Sequence, residues 1–181
     1  MAGKAPTFTR KWAMPNADTF ETGPIRDFVT KWLAQGLTSV DPFARNSALC
    51  TFTNDMNPKT SAAYHMDARD FLKMIAQKGI MADVVVLDPP YSPRQISDCY
   101  AMIGQKATQV DTQSSALYKT IRDLASVIVR PGGVVLSFGW NTTGMGKARG
   151  YKIEEILIVP HGGAHNDTLC MAERKLPRLF E

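Results

Sequence analysis

Cysteine is scarce: Cys50, Cys99 and Cys170 are the three in 181 residues, far apart and without a CxxC pair. An odd, scattered set excludes a disulfide scaffold and a cysteine zinc site, and it suits a reducing, cytosolic compartment. No apolar run approaches the roughly 18 residues of a membrane span. The opening MAGKAPTFTRK has no apolar stretch behind its charges, so neither a membrane span nor a secretory signal is expected. Internal repeats, low-complexity tracts and charge blocks are missing as well. Charge of either sign is modest: Lys plus Arg outnumber Asp plus Glu by 21 to 17, for +4. A mild basic excess of that kind suits a nucleic-acid partner without requiring one.

What is present fits one globular domain. Hydrophobic residues are 44% and charged residues 21%, enough apolar surface for a packed core. Ile25, Phe28, Val29, Trp32 and Leu33 recur at helical spacing over 23–36, and Gly36 sits where that helix should stop. Strand-like stretches follow at 37–43 and 48–53, then a helical pattern over 67–77. The strongest strand is Asp83-Val84-Val85-Val86-Leu87, whose continuous β-branched run is that of a strand buried on both faces. A polar stretch over 92–114 leads to a helix near 115–128. Arg130-Pro131-Gly132-Gly133 reads as a turn before a second buried strand, Val134 to Phe138. Residues 153–160 and 168–174 read as closing strands around the loop His161 to Asp167. Strands alternating with helices predict an open, mostly parallel α/β sheet with an antiparallel C-terminal strand.

In such sheets ligands bind beyond the carboxyl ends of the strands. Asp41, Asp55, Asp67 and Asp88 stand at such ends, one per successive unit, although Asp is also a common helix cap. Asp88-Pro89-Pro90-Tyr91 is the most informative. Its prolines remove backbone donors and stiffen the turn, leaving a carboxylate, carbonyl acceptors and an aromatic ring. That set suits a planar amine, whose two N–H bonds go to Asp88 and the Pro89 carbonyl while Tyr91 stacks on it. An aromatic amine is a poor nucleophile, and holding its hydrogens helps to localise the lone pair for attack on an electrophilic methyl.

The DPPY quartet after a hydrophobic strand resembles the catalytic motif of the S-adenosylmethionine-dependent amino methyltransferases, above all the DNA adenine-N6 group. The order of the other segments is similar too. Thr22-Gly23-Pro24 entering a helix resembles that group's N-terminal cofactor motif, and Asp41-Pro42-Phe43-Ala44-Arg45-Asn46 resembles its first-strand loop. Asp55 stands where an acid binds the ribose hydroxyls, and Asp67-Ala68 where a loop reaches the cofactor's adenine. Trp12 after Lys11 resembles a cofactor-touching Lys-Trp of some adenine methylases; a core tryptophan fits it equally. The resemblance spans nearly the whole chain and extends to small bacteriophage adenine methylases. It implies a Rossmann-like class I methyltransferase sheet over 1–181, with an N-terminal cofactor segment at 1–36 and the cofactor half with the catalytic loop at 37–91. The remaining strands and substrate loops fall at 92–181. It further implies S-adenosyl-L-methionine as cofactor, catalysis by Asp88, Pro89, Pro90 and Tyr91, and a cofactor set of Trp12, Thr22, Gly23, Pro24, Asp41, Phe43, Ala44, Asn46, Asp55, Asp67 and Ala68.

Two features depart from that family. Arg45 replaces a loop glycine, which leaves three roles open: holding the methionine carboxylate, capping the loop, or marking weak binding. No block is long enough for a target-recognition domain; 92–114 and 139–151 are spare. Arg94, Asn141, Lys147 and Arg149 in those segments are candidate phosphate contacts, with an ordinary surface loop as the other reading. His161 and His165 flank glycines with no third ligand, so a loop-shaping role is expected rather than a metal site. The expected activity is methylation of adenine N6 in DNA with short or relaxed specificity. An RNA guanine-N2 or cytosine-N4 enzyme, or a non-catalytic binding fold, are alternatives. Expected partners are DNA, with RNA not excluded, and a second copy of the chain if a dimer supplies the reading surface.

Overall fold

The computed structural model describes residues 5–36, 38–112, 114–163 and 165–177. Leu37 at the start of the first expected strand, Gln113 in the polar stretch and Ala164 in the histidine loop lie outside the described residues.

The strands are β1 (Thr7–Arg10), β2 (Ser39–Asp41), β3 (Phe52–Thr53), β4 (Ala82–Leu87), β5 (Val129–Gly139), β6 (Tyr151–Val159) and β7 (Thr168–Lys175). They form one sheet in the order β1-β6-β7-β5-β4-β2-β3. All neighbours run parallel except β7, which is antiparallel to both β5 and β6. The helices are α1 (Gly23–Leu33), α2 (Ala68–Gln77), α3 (Pro93–Met102), α4 (Gln109–Thr112) and α5 (Ser114–Ile128). Among the described residues, no helix is long and apolar enough to cross a membrane.

β4 is buried along its whole length because both of its faces are covered. Its side chains alternate between two cores, as the twofold pleat requires. Val84 and Val86 pack with Ile25, Phe28, Val29 and Trp32 of α1, while Val85 and Leu87 pack with Phe71, Leu72 and Ile75 of α2 and with Ile121, Ala125 and Ile128 of α5. Layers of helix on each face bring the ends of β2, β3 and β4 to one edge.

Three local expectations are corrected, and one strand is added. The segment 92–114 is not a spare polar loop: α3 starts at a Ser92 cap, with Pro93 in the first turn and Ser92 Oγ accepting from the Gln95 amide at 3.2 Å. With Ile96 its single buried residue, α3 shows no apolar stripe to reveal it. The turn at 130–133 is absorbed into β5 as an irregularity, where the register jumps from Ala82–Val129 to Val84–Val134 and Gly132 takes φ +81°. The strand expected over 48–53 shrinks to Phe52–Thr53, and a third parallel partner is reduced to one bridge between Asn54 and Tyr64. β1 was not anticipated, since its four residues are all exposed and carry no alternation.

Asn54 compensates for the shortness of these strands. Fully buried, it donates from Nδ2 to the carbonyls of Pro42 (3.1 Å) and Met66 (3.0 Å) and accepts from the Met66 amide at 3.1 Å. One side chain thus ties the loops after β2 and before α2 together.

Candidate active site

The loops at the ends of β2, β3 and β4 enclose a cavity of about 540 Å³, within the roughly 300–1,000 Å³ usual for small-molecule sites. Phe43, Arg45 and Asn46 enter it from the loop after β2, Asp55 and Asn57 from the loop after β3, and Asp67 and Ala68 from the start of α2. Asp88, Pro89, Pro90 and Tyr91 close it from the end of β4, Gln95, Cys99 and Tyr100 from α3, and Ala17 and Thr19 from the N-terminal segment. A smaller cavity of about 110 Å³ adjoins it, sharing Pro89, Tyr91 and Ile121 with the first. Pro89 and Tyr91 therefore form a partition between the two spaces, with Asp88 and Pro90 on the side of the larger one.

The partition is held tightly. The Tyr91 hydroxyl donates to Asp88 Oδ1, the Tyr91 amide to Gln95 Oε1 at 2.6 Å, and the Tyr118 hydroxyl to the Pro90 carbonyl. The Tyr91 ring lies 5.4 Å from that of Trp140, tilted by 59°. Burial raises the pKa of Asp88, opposed by hydrogen bonds from Tyr91 and Thr19 and by the charge of Arg45. Burial and the adjoining Asp88 carboxylate push the Tyr91 hydroxyl up, so it stays a donor.

Asp55 uses Oδ1 to accept from the Asn57 amide at 2.8 Å, which fixes its loop, and both residues line the larger cavity. Asp67 caps α2 through the Arg69 amide at 2.8 Å and is gripped by the Arg69 side chain at 2.8 and 2.7 Å. Burial works to raise its pKa, but the bonds and charge of Arg69 outweigh it and hold the carboxyl below the usual range. Arg69 also reaches Asp111 at 3.0 Å, pinning α4 to the start of α2.

Arg45 has φ +49°, the left-handed conformation that glycine adopts freely. An arginine thus holds a backbone conformation that usually falls to glycine. Its guanidinium donates to the Ala17 carbonyl at 2.5 Å and pairs with Asp18 at 3.2 Å, tying the loop to the N-terminal segment, and Arg45 also lines the larger cavity.

The other expected residues fall elsewhere. Asp41 and Ala44 are buried beneath the loop rather than lining the cavity, and Thr22 is buried ahead of α1 with Gly23 and Pro24 opening the helix. Trp12 is 60% exposed and away from both cavities, so it is neither core nor lining. Arg94 and Lys147 are exposed, but Arg149 is engaged with Asp123 at 2.7 Å and the Met145 carbonyl at 3.0 Å. Asn141 lines the smaller cavity. Its glycine-rich loop is anchored rather than free: buried Glu173 accepts from the amides of Met145 and Gly146 at 2.5 and 3.0 Å. A side chain at Gly144 would collide with that carboxylate. His161 is buried between the Ala13 carbonyl and Thr168 Oγ1, both at 2.8 Å, and joins the N-terminal segment to β7. Sequence reasoning missed Thr19, Asn54, Arg69, Gln95 and Tyr118; only Gln95 had a signal, the Ser-x-x-Gln spacing of a capping box.

No protein-family model and no curated protein matches the sequence. Among solved structures the chain is similar to TrmN from Thermus thermophilus, with TM-score 0.58 and 16% identity over 86% of this chain and 49% of that one. It is similar to NSun6 from Pyrococcus horikoshii, solved with SFG, at TM-score 0.54 and 15% identity over 82% and 51%. It is similar also to N-methyltransferase NodS from Bradyrhizobium japonicum, at TM-score 0.53 and 12% identity over 90% and 100%. The chain has the Rossmann-like fold of class I methyltransferases, a mostly parallel sheet closed by an antiparallel strand. At these identities the likeness carries the fold alone. The chain spans about half the length of the first solved structures it matches.

Proposed function

We propose that the protein is an S-adenosylmethionine-dependent methyltransferase acting on the N6 amine of adenine in DNA. The observation that supports this reading is the position of Asp88-Pro89-Pro90-Tyr91: all four line the larger cavity, and Pro89 and Tyr91 also border the smaller one, which Trp140 lines. The larger cavity's lining suits the cofactor: Asp55 to accept from the ribose hydroxyls, Phe43 for an apolar ring face, and Asp67 with Ala68 for the adenine end. When bound, the cofactor supplies an electrophilic methyl group. The chain's own part is to hold the nucleophile. Asp88 and the Pro89 carbonyl accept the two N–H bonds of the target amine, which keeps its lone pair free and aimed across the partition. Tyr91 and Trp140 provide aromatic faces for a base flipped out of the stack. Asp88 accepts more strongly as the carboxylate, so transfer should slow as acid pH protonates it.

The test is transfer of tritiated methyl from S-adenosylmethionine to DNA, RNA and protein, followed by nucleoside analysis. Label in N6-methyladenine of DNA is expected. Label in 2-methylguanine of RNA, in N4-methylcytosine, or in nothing would refute the reading.

A further inference from the structure

Asp88-Pro89-Pro90-Tyr91 cannot fix its own shape. Pro89 and Pro90 bring no N–H, so the first backbone donor after Asp88 is the Tyr91 amide. The peptide unit between Pro90 and Tyr91 is instead gripped by two helices. Its C=O accepts from the Tyr118 hydroxyl of α5, and its N–H donates to Gln95 Oε1 of α3 at 2.6 Å. The two bonds oppose each other, because the C=O and N–H of a trans peptide point opposite ways. Each comes from a different cavity wall: Tyr118 lines the smaller space and Gln95 the larger. The glutamine of a capping box ordinarily returns to the amide of the cap residue, here Ser92. Gln95 accepts instead from Tyr91, which fastens the β4 loop to α3.

Resting on the methyltransferase reading, we propose that Tyr118 and Gln95 are positioning residues, which aim the Pro89 carbonyl at the target amine by holding this one peptide plane. Planarity makes the plane a rigid unit, and the pyrrolidine ring locks φ of Pro90. A single torsion, ψ of Pro90, then lies between the clamped plane and the Pro89 carbonyl. Neither Tyr118 nor Gln95 touches the amine in this arrangement; Asp88 and the Pro89 carbonyl accept its two N–H bonds. Without the clamp both acceptors remain but drift, and a misplacement of about 1 Å can cost about a hundredfold in rate.

The test is a double-variant cycle. Tyr118→Phe keeps the ring and removes only the hydroxyl, and Gln95→Met keeps the side chain's length and removes the acceptor. Methyl transfer to adenine in DNA, calorimetric affinity for S-adenosylmethionine and melting temperature are measured for each variant and for the pair. Each single variant should lose about ten- to a hundredfold in kcat, as misaimed groups do. Tyr118 does not line the larger cavity, so Tyr118→Phe should leave cofactor affinity unchanged. Because both bonds hold one plane, the pair should be little slower than the slower single variant, a coupling that independent contacts do not show. Unchanged kcat in either single variant, or losses that multiply in the pair, would overturn the inference. So would a loss of kcat that tracks a collapse in melting temperature, which would make the two bonds merely structural. Wild-type transfer with unaffected variants refutes the inference alone; a wild type that transfers no methyl to adenine refutes the methyltransferase reading, and the inference with it.

Discussion

The hydroxyl of Tyr91 donates to the carboxylate of Asp88, so the acid at the end of β4 and the ring three residues later close on each other. In the proposed reaction the target amine needs the same acceptor. Tyr91→Phe removes the competitor and keeps the ring, so methyl transfer should stay within about tenfold of wild type with a lower substrate KM. Asp88→Ala should cost about 10²–10³ in kcat, as loss of a positioning hydrogen bond does elsewhere, with cofactor affinity nearly unchanged. Steady-state kinetics on both variants decide it; a Tyr91→Phe protein as inactive as Asp88→Ala refutes the competition.

In the proposed binding mode Asp55 holds the ribose hydroxyls. A bidentate charged hydrogen bond contributes roughly 1.5–3 kcal/mol, so Asp55→Ala should weaken S-adenosylmethionine about ten- to a hundredfold. Calorimetric titration measures this directly, and unchanged affinity would move the ribose elsewhere.

Arg45 opposes the rise of the Asp88 pKa. Arg45→Gly keeps the left-handed turn, and its ion pair with Asp18 joins side chains 55% and 46% exposed, worth at most about 1 kcal/mol in solvent. Stability should therefore change little. Removing the cation lifts the Asp88 pKa further, so the acid limb of the pH–rate profile should move to higher pH. A profile that stays in place separates Arg45 from Asp88.

Asp41 is buried, with Oδ1 accepting from the Phe43 amide at 2.9 Å. Burial pushes its carboxyl up to about 8, against the Phe43 bond and with help from Asp88 and Asp55. An acid raised by folding contributes stability that is full below its unfolded pKa, near 4, and is lost as pH climbs through the folded value. Asp41→Asn keeps an acceptor and cannot ionise. Its advantage in denaturation midpoint should be absent near pH 4 and grow to about pH 8. Parallel stability curves for the two proteins would contradict this.

Lys147 and Arg149 should part company. Lys147 is exposed, and on duplex DNA each neutralised phosphate adds about −0.9 to the slope of log affinity against log salt. Lys147→Ala should reduce that slope by about one. Arg149→Ala should instead lower thermal stability and leave the slope alone, because Asp123 and the Met145 carbonyl already hold its guanidinium. Equal slope changes for both would show Arg149 released to the nucleic acid.

Sequence pattern revealed those parts of the fold whose neighbours are chemically uniform. β4 announces itself because an unbroken β-branched run has one way to be buried, and the β6–β7 pair because two strand-like stretches flank a glycine-containing loop. DPPY was legible because its chemistry is local to four residues. α3 escaped notice for want of an apolar stripe, and β1 because its partner β6 lies about 150 positions downstream. The tasks of Asn54, Arg69 and Glu173 were illegible for the same reason: each joins segments whose meeting is decided by the sheet, not by the residues beside it.

The sheet is lopsided, with β5, β6 and β7 running 11, 9 and 8 residues while β2 and β3 run three and two. Amide exchange protection should follow the same slope, slowest in the long antiparallel block and fastest around β3, where few ladder bonds resist local opening. The half that would receive the methyl donor is thus the half least able to stand alone. Occupancy there would consolidate structure as well as fill space, so a saturating ligand should raise the melting temperature chiefly by suppressing fraying from the β3 edge.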